Sequence, residues 1–314
     1  MAVIELRSVT RTQGNNAAIK NRVVQPEGYS LVFEEVTPLV SAFRRMVRGL
    51  EFDVCEMAIT TYLCARAHGK PFTAIPVFLV RGFHHGAIAY NTGSGIRVPR
   101  DLEGRRVGVN RGYTVTTGVW ARGILADEYG VDLDSVTWLR SSDEHVAEYV
   151  PPPNVETLAD GSTLEDLVAS GELPAAVGAD MHAAGVAPLI PDAEKAALDA
   201  LQSSGLYPIN HLVVIRDDVL AGHPDVAAAL FEAFAESKRR YLTALKAGSD
   251  NSTPTDQLYR RVLEVTGEDP LPYGIEPNRA VLETLLRYAV DQHILAGPLD
   301  IETLFAAGTR DVVG

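Results

Sequence analysis

Residues 52–90, FDVCEMAITTYLCARAHGKPFTAIPVFLVRGFHHGAIAY, decide the fold class. Residues 52–58 are a short apolar run that reads as a strand. Thr60 and Thr61 then open a helical stretch that Gly69 closes. Residues 72–80 form a second strand, almost continuously apolar, and residues 87–90 read as its continuation after a polar break. The strand–helix–strand rhythm points to an α/β fold.

Working outward, the same rhythm fills the chain. Residues 4–9 and 30–36 read as strands, and Thr37-Pro38 predicts a helix start, with Thr37 as N-cap and Pro38 at the first helical position. The stripe Leu39, Phe43, Met46, Val47 and Leu50 has helical spacing. The turn-rich Asn91-Thr92-Gly93-Ser94-Gly95 predicts a crossing between lobes. Beyond it, strands are expected at 106–110, 136–139 and 175–178, and helices at 116–129, 164–170 and 193–203. Pro151-Pro152-Pro153 reads as a loop. Tyr207-Pro208 predicts a second crossing before a strand at 212–215, followed by helices at 226–247, 255–266 and 277–296. The expected organisation is a discontinuous lobe I, residues 1–91 plus 210–314, and a lobe II, residues 92–209.

Composition narrows the function. With 314 residues, 46% hydrophobic and 22% charged, the chain builds a full core and is neither disordered nor collagen-like. A net charge of −13 without a long basic run argues against a nucleic-acid partner. No window reaches the length of a membrane span. The N-terminal MAVIELRSVTRTQG lacks a basic n-region, an apolar h-region and a cleavage site, so a cytoplasmic location is expected. Cys55 and Cys64 are too few for a disulfide framework and read as small buried hydrophobes.

Nucleotide and hydrolase signatures are missing: there is no GxGxxG before a helix, no P-loop and no Gly-x-Ser-x-Gly elbow. Glu56, His84, His85, His182 and His211 supply metal-ligand types. They lack a tight spacing such as His-x-x-x-His, and no metal is expected.

Several segments carry a family resemblance. They are residues 52–58 with Pro76-Val77-Phe78 and Arg81-Gly82-Phe83-His84-His85, then DLEGRRVGV at 101–109 and VWARGIL at 119–125. NHLVVIR at 210–216 and Tyr273-Gly274-Ile275 before Asn278-Arg279 complete the set. In this order the chain resembles the 4,5-dihydroxyphthalate decarboxylase family over most of its length. The resemblance implies a two-lobe α/β fold like that of type II periplasmic binding proteins, with a ligand cleft between the lobes. It also implies a carboxy-lyase that needs no cofactor and takes a hydroxylated aromatic acid to its decarboxylated product. Ser8-Val9-Thr10-Arg11-Thr12 stands where the family has Asp-Tyr-Asp-Arg-Thr, and residues 110–117 also depart from its pattern, so a close analogue of the phthalate is an alternative substrate. Two further readings stay open: a solute-binding protein of an ABC-type transporter capturing an aromatic carboxylate, and another small-acid lyase or hydrolase on the same scaffold. Self-association into a homo-oligomer is left open.

On that resemblance the chemistry can be assigned. Arg81, at the end of the most apolar strand, offers a bidentate fork for a substrate carboxylate, and at least one of His84 and His85 is expected to face the cleft as proton donor. The plainer alternative is a surface Arg with a packed His. His211 and Glu56 are candidates to take a proton from a ring hydroxyl; His211 could also pair with another His as acid and base or orient a substrate hydroxyl, and Glu56 could instead orient a His, against structural roles at the hinge and at a buried strand end. Tyr113, Thr114, Thr116 and Thr117 lie at a helix start, where free N–H groups and hydroxyls attract an anion, against simple N-capping by one Thr. Arg11 and Thr12 make a second carboxylate clamp. Asp180 and His182 are expected to reach the ligand from lobe II.

Overall fold

A computed structural model describes residues 3–159, 161–179, 182–248 and 253–314. Among these residues the strands are β1 (Ile4–Val9), β2 (Tyr29–Phe33), β3 (Val54–Ala58), β4 (Phe72–Arg81), β5 (Ile88–Asn91), β6 (Arg106–Val109), β7 (Thr137–Arg140), β8 (Val155–Thr157), β9 (Ala175–Val177), β10 (Val186–Pro188) and β11 (Ile209–Arg216). The helices are α1 (Ala17–Lys20), α2 (Val40–Gly49), α3 (Ile59–Ala67), α4 (Thr116–Tyr129), α5 (Leu164–Ser170), α6 (Ala193–Ser204), α7 (Asp217–Gly222), α8 (Val226–Ala247), α9 (Pro254–Thr266) and α10 (Arg279–Asp291).

The chain divides into two units. Unit 1 comprises Met1–Arg81, Ile209–Glu283 and Leu299–Gly314, and unit 2 comprises Gly82–Pro208 and Thr284–Pro298. Each has its own sheet. In unit 1 the order is β2-β1-β3-β11-β4, with β1 parallel to β2 and β3, and β11 antiparallel to β3 and β4. Its core joins the fully buried Val9, Val54, Ile75, Val77, Leu79, Val213 and Ile215 to Phe231 and Phe234 of α8. Each such side chain contributes about 1.5–3 kcal/mol on burial. Pro76, which cannot donate to a ladder, is tolerated because β4 is an edge strand, and its carbonyl accepts from the Gly274 N–H at 2.9 Å.

In unit 2 the order is β10-β5-β9-β6-β7-β8. Trp120, Trp138, Val107, Val109 and Ile124 are fully buried there. Gly123 of α4 lies against the Tyr288 ring, so closely that a Cβ at that position would stand 2.1 Å from the ring carbons.

The expected lobe boundaries shift for a hydrogen-bonding reason. Residues 88–91 are not a continuation of β4: they form β5, which pairs antiparallel with β9 and β10 in the other sheet. The first crossing therefore falls after Arg81 instead of after residue 91, and residues 284–298 join unit 2 instead of lobe I. The second crossing falls after Pro208, beside the expected Tyr207-Pro208. Helix α2 begins at Val40 with Leu39 at its cap, two residues beyond the expected Thr37 cap. Strands β8 and β10, each of three residues, carried too little pattern to be read.

Candidate active site

Glu56 sits in the middle of β3 with no exposed side-chain surface. A buried carboxylate carries a large desolvation penalty unless it is paired. The sheet register supplies the partners. Glu56 lies opposite Val213 and Ala58 opposite His211, so His211, two residues along β11, is the diagonal neighbour of Glu56 on the same face. Its Nδ1 stands 2.6 Å from Glu56 Oε1. On the other side of β3, Val9 pairs with Cys55, and the chain leaving β1 brings Arg11 alongside. The Arg11 main-chain N–H donates to Oε2 at 2.9 Å, its Nε donates to Oε1 at 3.1 Å, and its Nη2 lies 2.8 Å from His211 Nδ1.

The loop carrying Arg11 is braced from within. Asn16 Nδ2 donates to the Arg11 carbonyl at 2.8 Å, Lys20 Nζ donates to the Thr10 carbonyl at 2.7 Å, and the buried Asn15 donates to the Leu79 carbonyl at 2.9 Å. Gly14 presses on the Tyr241 ring of α8, where a Cβ would come within 2.1 Å, so a larger residue would displace the loop. Thr12 is exposed at its outer edge.

Burial works to raise the Glu56 pKa, but the hydrogen bond and charge of His211 together with the Arg11 charge and N–H outweigh it, and the carboxyl ends below its ordinary value. It is therefore ionised near neutral pH. The Nδ1–H of His211 donates to it. The Phe43 ring stands edge-on to the imidazole, 5.2 Å between centroids. Arg81, the last residue of β4, is buried. Beside it, Tyr259 of α9 is buried as well. Its hydroxyl is pushed up to about 12, chiefly by desolvation, while the Arg81 main-chain N–H and the charges of Arg81 and Arg11 pull the other way.

In unit 2 the remaining candidates fall in different surroundings. β4 ends at Arg81, so His84 and His85 are in the following turn instead of on a strand. Both are buried, and His85 Nε2 stands 3.0 and 3.1 Å from the two carboxylate oxygens of Glu128 on α4. Three of the anion-attracting donors before α4 are already filled. The Tyr113 N–H, the Thr114 N–H and the Thr114 hydroxyl donate to the buried Glu144 carboxylate at 2.6, 3.1 and 2.7 Å. An internal carboxylate thus takes the place that the sequence reading reserved for a ligand at Tyr113 and Thr114. Thr116 is buried as the first residue of α4, and Thr117 is half-buried. Arg122, fully buried, clamps the same loop: Nη2 donates to the Tyr113 carbonyl at 2.6 Å, Nε donates to Gln292 Oε1 at 2.8 Å, and the guanidinium lies 3.8 Å from the Tyr113 ring centroid. His182 is exposed, and Asp180 lies outside the described residues.

The sequence reading missed Tyr259, Glu144, Arg122, Asn15 and Asn16. Only the adjacent amides after the first strand gave a local signal, since such side chains fix loops by bonding nearby backbone. Among the described residues, no group of three His, Cys, Asp or Glu side chains is placed to hold a metal ion. Among them also, no helix is long and apolar enough to cross a membrane.

No family model matches the chain. It is 31% identical over 287 residues to the 4,5-dihydroxyphthalate decarboxylase of Comamonas testosteroni, covering 84% of each chain. To the protein of the same name from Pseudomonas putida it is 34% identical over 176 residues, 52% of this chain and 67% of that one. Among solved structures it is similar to the periplasmic aliphatic sulphonate-binding protein SsuA of Escherichia coli, with a TM-score of 0.54, 10% identity and 98% of each chain covered. It is equally similar to the desulfurization enzyme DszB, with a TM-score of 0.54, 14% identity and 96% of each chain covered. At such identities these two likenesses speak for fold alone, and the fold is the two-lobe α/β architecture of periplasmic binding proteins.

Proposed function

The chain belongs to the 4,5-dihydroxyphthalate decarboxylase family, and from that premise we propose that it decarboxylates a hydroxylated, phthalate-type aromatic acid, 4,5-dihydroxyphthalate to protocatechuate or a close analogue. The observation that carries the reading is the likeness to the Comamonas testosteroni protein, which runs through 84% of both chains. The cluster in unit 1 supplies groups suited to the chemistry. The outer edge of the Arg11 guanidinium takes the carboxylate that stays, a planar fork meeting a planar anion. Glu56 holds the His211 Nδ1–H and so presents Nε2 to the substrate.

A ring hydroxyl para to the departing group feeds electron density toward the ring carbon. His211 Nε2 delivers a proton to that carbon. The bond to the carboxylate then breaks, its electron pair stays with the ring, and carbon dioxide leaves as aromaticity returns. His84 and His85 are the alternative donors: turnover that survives His211→Ala and is lost in His84→Ala moves the role to unit 2. The same reading puts the protein in the cytoplasm, where the free, buried thiols of Cys55 and Cys64 suit a reducing compartment, and cell fractionation tests it.

The deciding experiment is anaerobic incubation of the purified protein with 4,5-dihydroxyphthalate, following carbon dioxide and protocatechuate. Turnover is expected. A saturable thermal shift with the compound but no product would replace the enzyme with a binding protein for an aromatic carboxylate.

A further inference from the structure

We propose that Tyr259 makes the site selective for an ortho-dicarboxylate: its hydroxyl donates to the carboxylate that departs, while Arg11 holds the one that stays. The fate of each carboxylate rests on the decarboxylase reading, whereas the selectivity for two adjacent carboxylates is a property of binding and is measured without turnover.

Tyr259 is held firmly in place. Helix α9 starts at the Thr253 cap, whose hydroxyl accepts from the Asp256 N–H at 3.1 Å, and the Asp256 carboxylate accepts from the Tyr241 hydroxyl of α8. Arg260 Nε donates to the Leu245 carbonyl at 3.1 Å and ties the same two helices together. Tyr259 and Val262, one turn apart, are both buried. The Tyr259 ring stands edge-on to Tyr241, 6.4 Å between centroids. Gly14, on the loop that carries Arg11, presses on the other ring of this pair. Arg11 and Tyr259 therefore share one support, the Tyr241 side chain.

The sheet brings Arg81 to the same place. Ile209 lies opposite Arg81 and His211 opposite Val80, so two steps along β11 match one along β4 and the pairing bulges beside the site. The end of β4 is thus set next to the strand that carries His211, and Tyr259 feels the charges of Arg81, Arg11 and Glu56 together.

The surroundings of the hydroxyl identify its ligand. Several other tyrosines donate to carboxylates within the protein: Tyr29 to Asp225 at 2.7 Å, Tyr288 to Asp127 at 2.8 Å, and Tyr241 to Asp256. Tyr259 stands instead by the Arg81 main-chain N–H and two guanidinium charges. The carboxylate within its field, Glu56, already accepts from Arg11 and His211. Among the described residues, no acceptor is bonded to the Tyr259 proton. A hydroxyl flanked by an N–H and two cations is matched by an anionic oxygen, to which it makes a charge-assisted bond. Desolvation pushes the hydroxyl up to about 12, so near neutral pH it is a donor and not a base.

The reaction decides which carboxylate it takes. Arg11, whose side chain keeps 43% of its surface exposed, offers its fork to one carboxylate, and an ortho-diacid carries the second beside it. The departing carboxylate loses its charge as carbon dioxide forms. A cation bonded to it would hold it in the ground state, and a neutral hydroxyl binds it with less of that penalty. Tyr259 supplies affinity, not rate.

Calorimetric titration with phthalate and benzoate tests this, since both lack ring hydroxyls and they differ by one ortho carboxylate. The wild type is expected to bind phthalate more tightly. In Tyr259→Phe, or Tyr259→Met if the first loses the wild-type unfolding midpoint, phthalate affinity falls about tenfold or more, as for a lost charge-assisted bond, and benzoate affinity stays within about twofold. In Arg11→Gln both affinities fall. With 4,5-dihydroxyphthalate, Tyr259→Phe raises KM and leaves kcat within about threefold, because the lost interaction is stronger in the ground state than in the transition state. Equal losses for both acids, an unchanged phthalate affinity, a wild type that does not distinguish the two, no binding of phthalate to the folded wild type, or a fall in kcat at constant KM would each overturn the inference. Selectivity that depends on Tyr259 without turnover refutes the decarboxylase reading and leaves the Tyr259 contact standing, and turnover with selectivity independent of Tyr259 does the reverse.

Discussion

Replacing Glu56 by Gln is the sharpest perturbation of the proposed chemistry, because the new side chain has the same shape and no charge. In the native cluster Oε2 accepts from the Arg11 main chain at 2.9 Å, and Oε1 accepts from Arg11 Nε at 3.1 Å and His211 Nδ1 at 2.6 Å. A Gln amide has one oxygen and one NH2. With NH2 at the Oε2 position it faces the Arg11 N–H, donor against donor. With NH2 at the Oε1 position it faces Arg11 Nε, and it can bond His211 only if Nδ1 loses its proton and the ring changes tautomer. Either orientation leaves a buried donor unmatched, at a cost of about 1–3 kcal/mol. The second also puts the neutral ring's proton on Nε2, so that a further proton would have to enter at Nδ1, against the Gln NH2 and with no carboxylate to stabilise it. General acid catalysis is worth about 10²–10⁴-fold, and Glu56→Gln is expected to lose a kcat factor in that range, with KM changing less.

Two assays report the outcome. One is steady-state release of carbon dioxide from 4,5-dihydroxyphthalate. The other is thermal unfolding of both proteins from neutral to acid pH. The sign is fixed by the carboxyl, which titrates in the folded state below its ordinary value of 4.5. Its stabilisation is fully present above that value and is lost as the pH falls through the lower folded value. The gap in unfolding midpoint between wild type and Glu56→Gln should therefore close in acid. A kcat within about threefold of wild type, far short of the range for general acid catalysis, would refute the assignment of Glu56 and His211 as a working pair.

Other consequences follow from the packing. Glu144→Ala leaves the buried N–H groups of Tyr113 and Thr114 and the Thr114 hydroxyl without their acceptor, and should cost about 3 kcal/mol or more, seen as a lowered unfolding midpoint. An unchanged midpoint would show the loop is held by Arg122 alone. Gly123→Ala drives a Cβ to 2.1 Å from the Tyr288 ring and should destabilise by about 1–3 kcal/mol, in contrast to Gly130→Ala, whose site is open and whose penalty comes from its left-handed φ of +64°. The fully buried Cys55, its thiol pushed up by burial, and the equally buried Cys64 should react with a thiol reagent only in denaturant. Labelling of the folded protein at either site would contradict the burial.

Much of the fold was legible because periodicity records which face of an element is apolar. Strand β1 and helices α4, α5 and α8 fall on the residues where the patterns put them. Periodicity does not record pairing. Residues 87–90 were recognised as strand but assigned to the wrong sheet, because the hydrogen bonds that place β5 beside β9 and β10 leave no local trace. The same limit governs the site. His211, Glu56 and Arg11 were each named as candidates from the sequence, with Glu56 as a base or the orienter of an unspecified His, His211 as an acid–base or substrate-orienting group, and Arg11 as a clamp.

That they form one cluster is a tertiary fact. Arg11 and Glu56 are 45 residues apart and Glu56 and His211 are 155 apart, joined by a parallel register on one side of β3 and an antiparallel one on the other. Tertiary structure likewise decided that Glu144 fills the donors before α4 and that His85 is bound to Glu128. The sequence alone determined the element types, the α/β class and the family, because these rest on local pattern and on likeness along the chain. Which side chains meet rests on strand register, and a register is settled only when the whole sheet is packed.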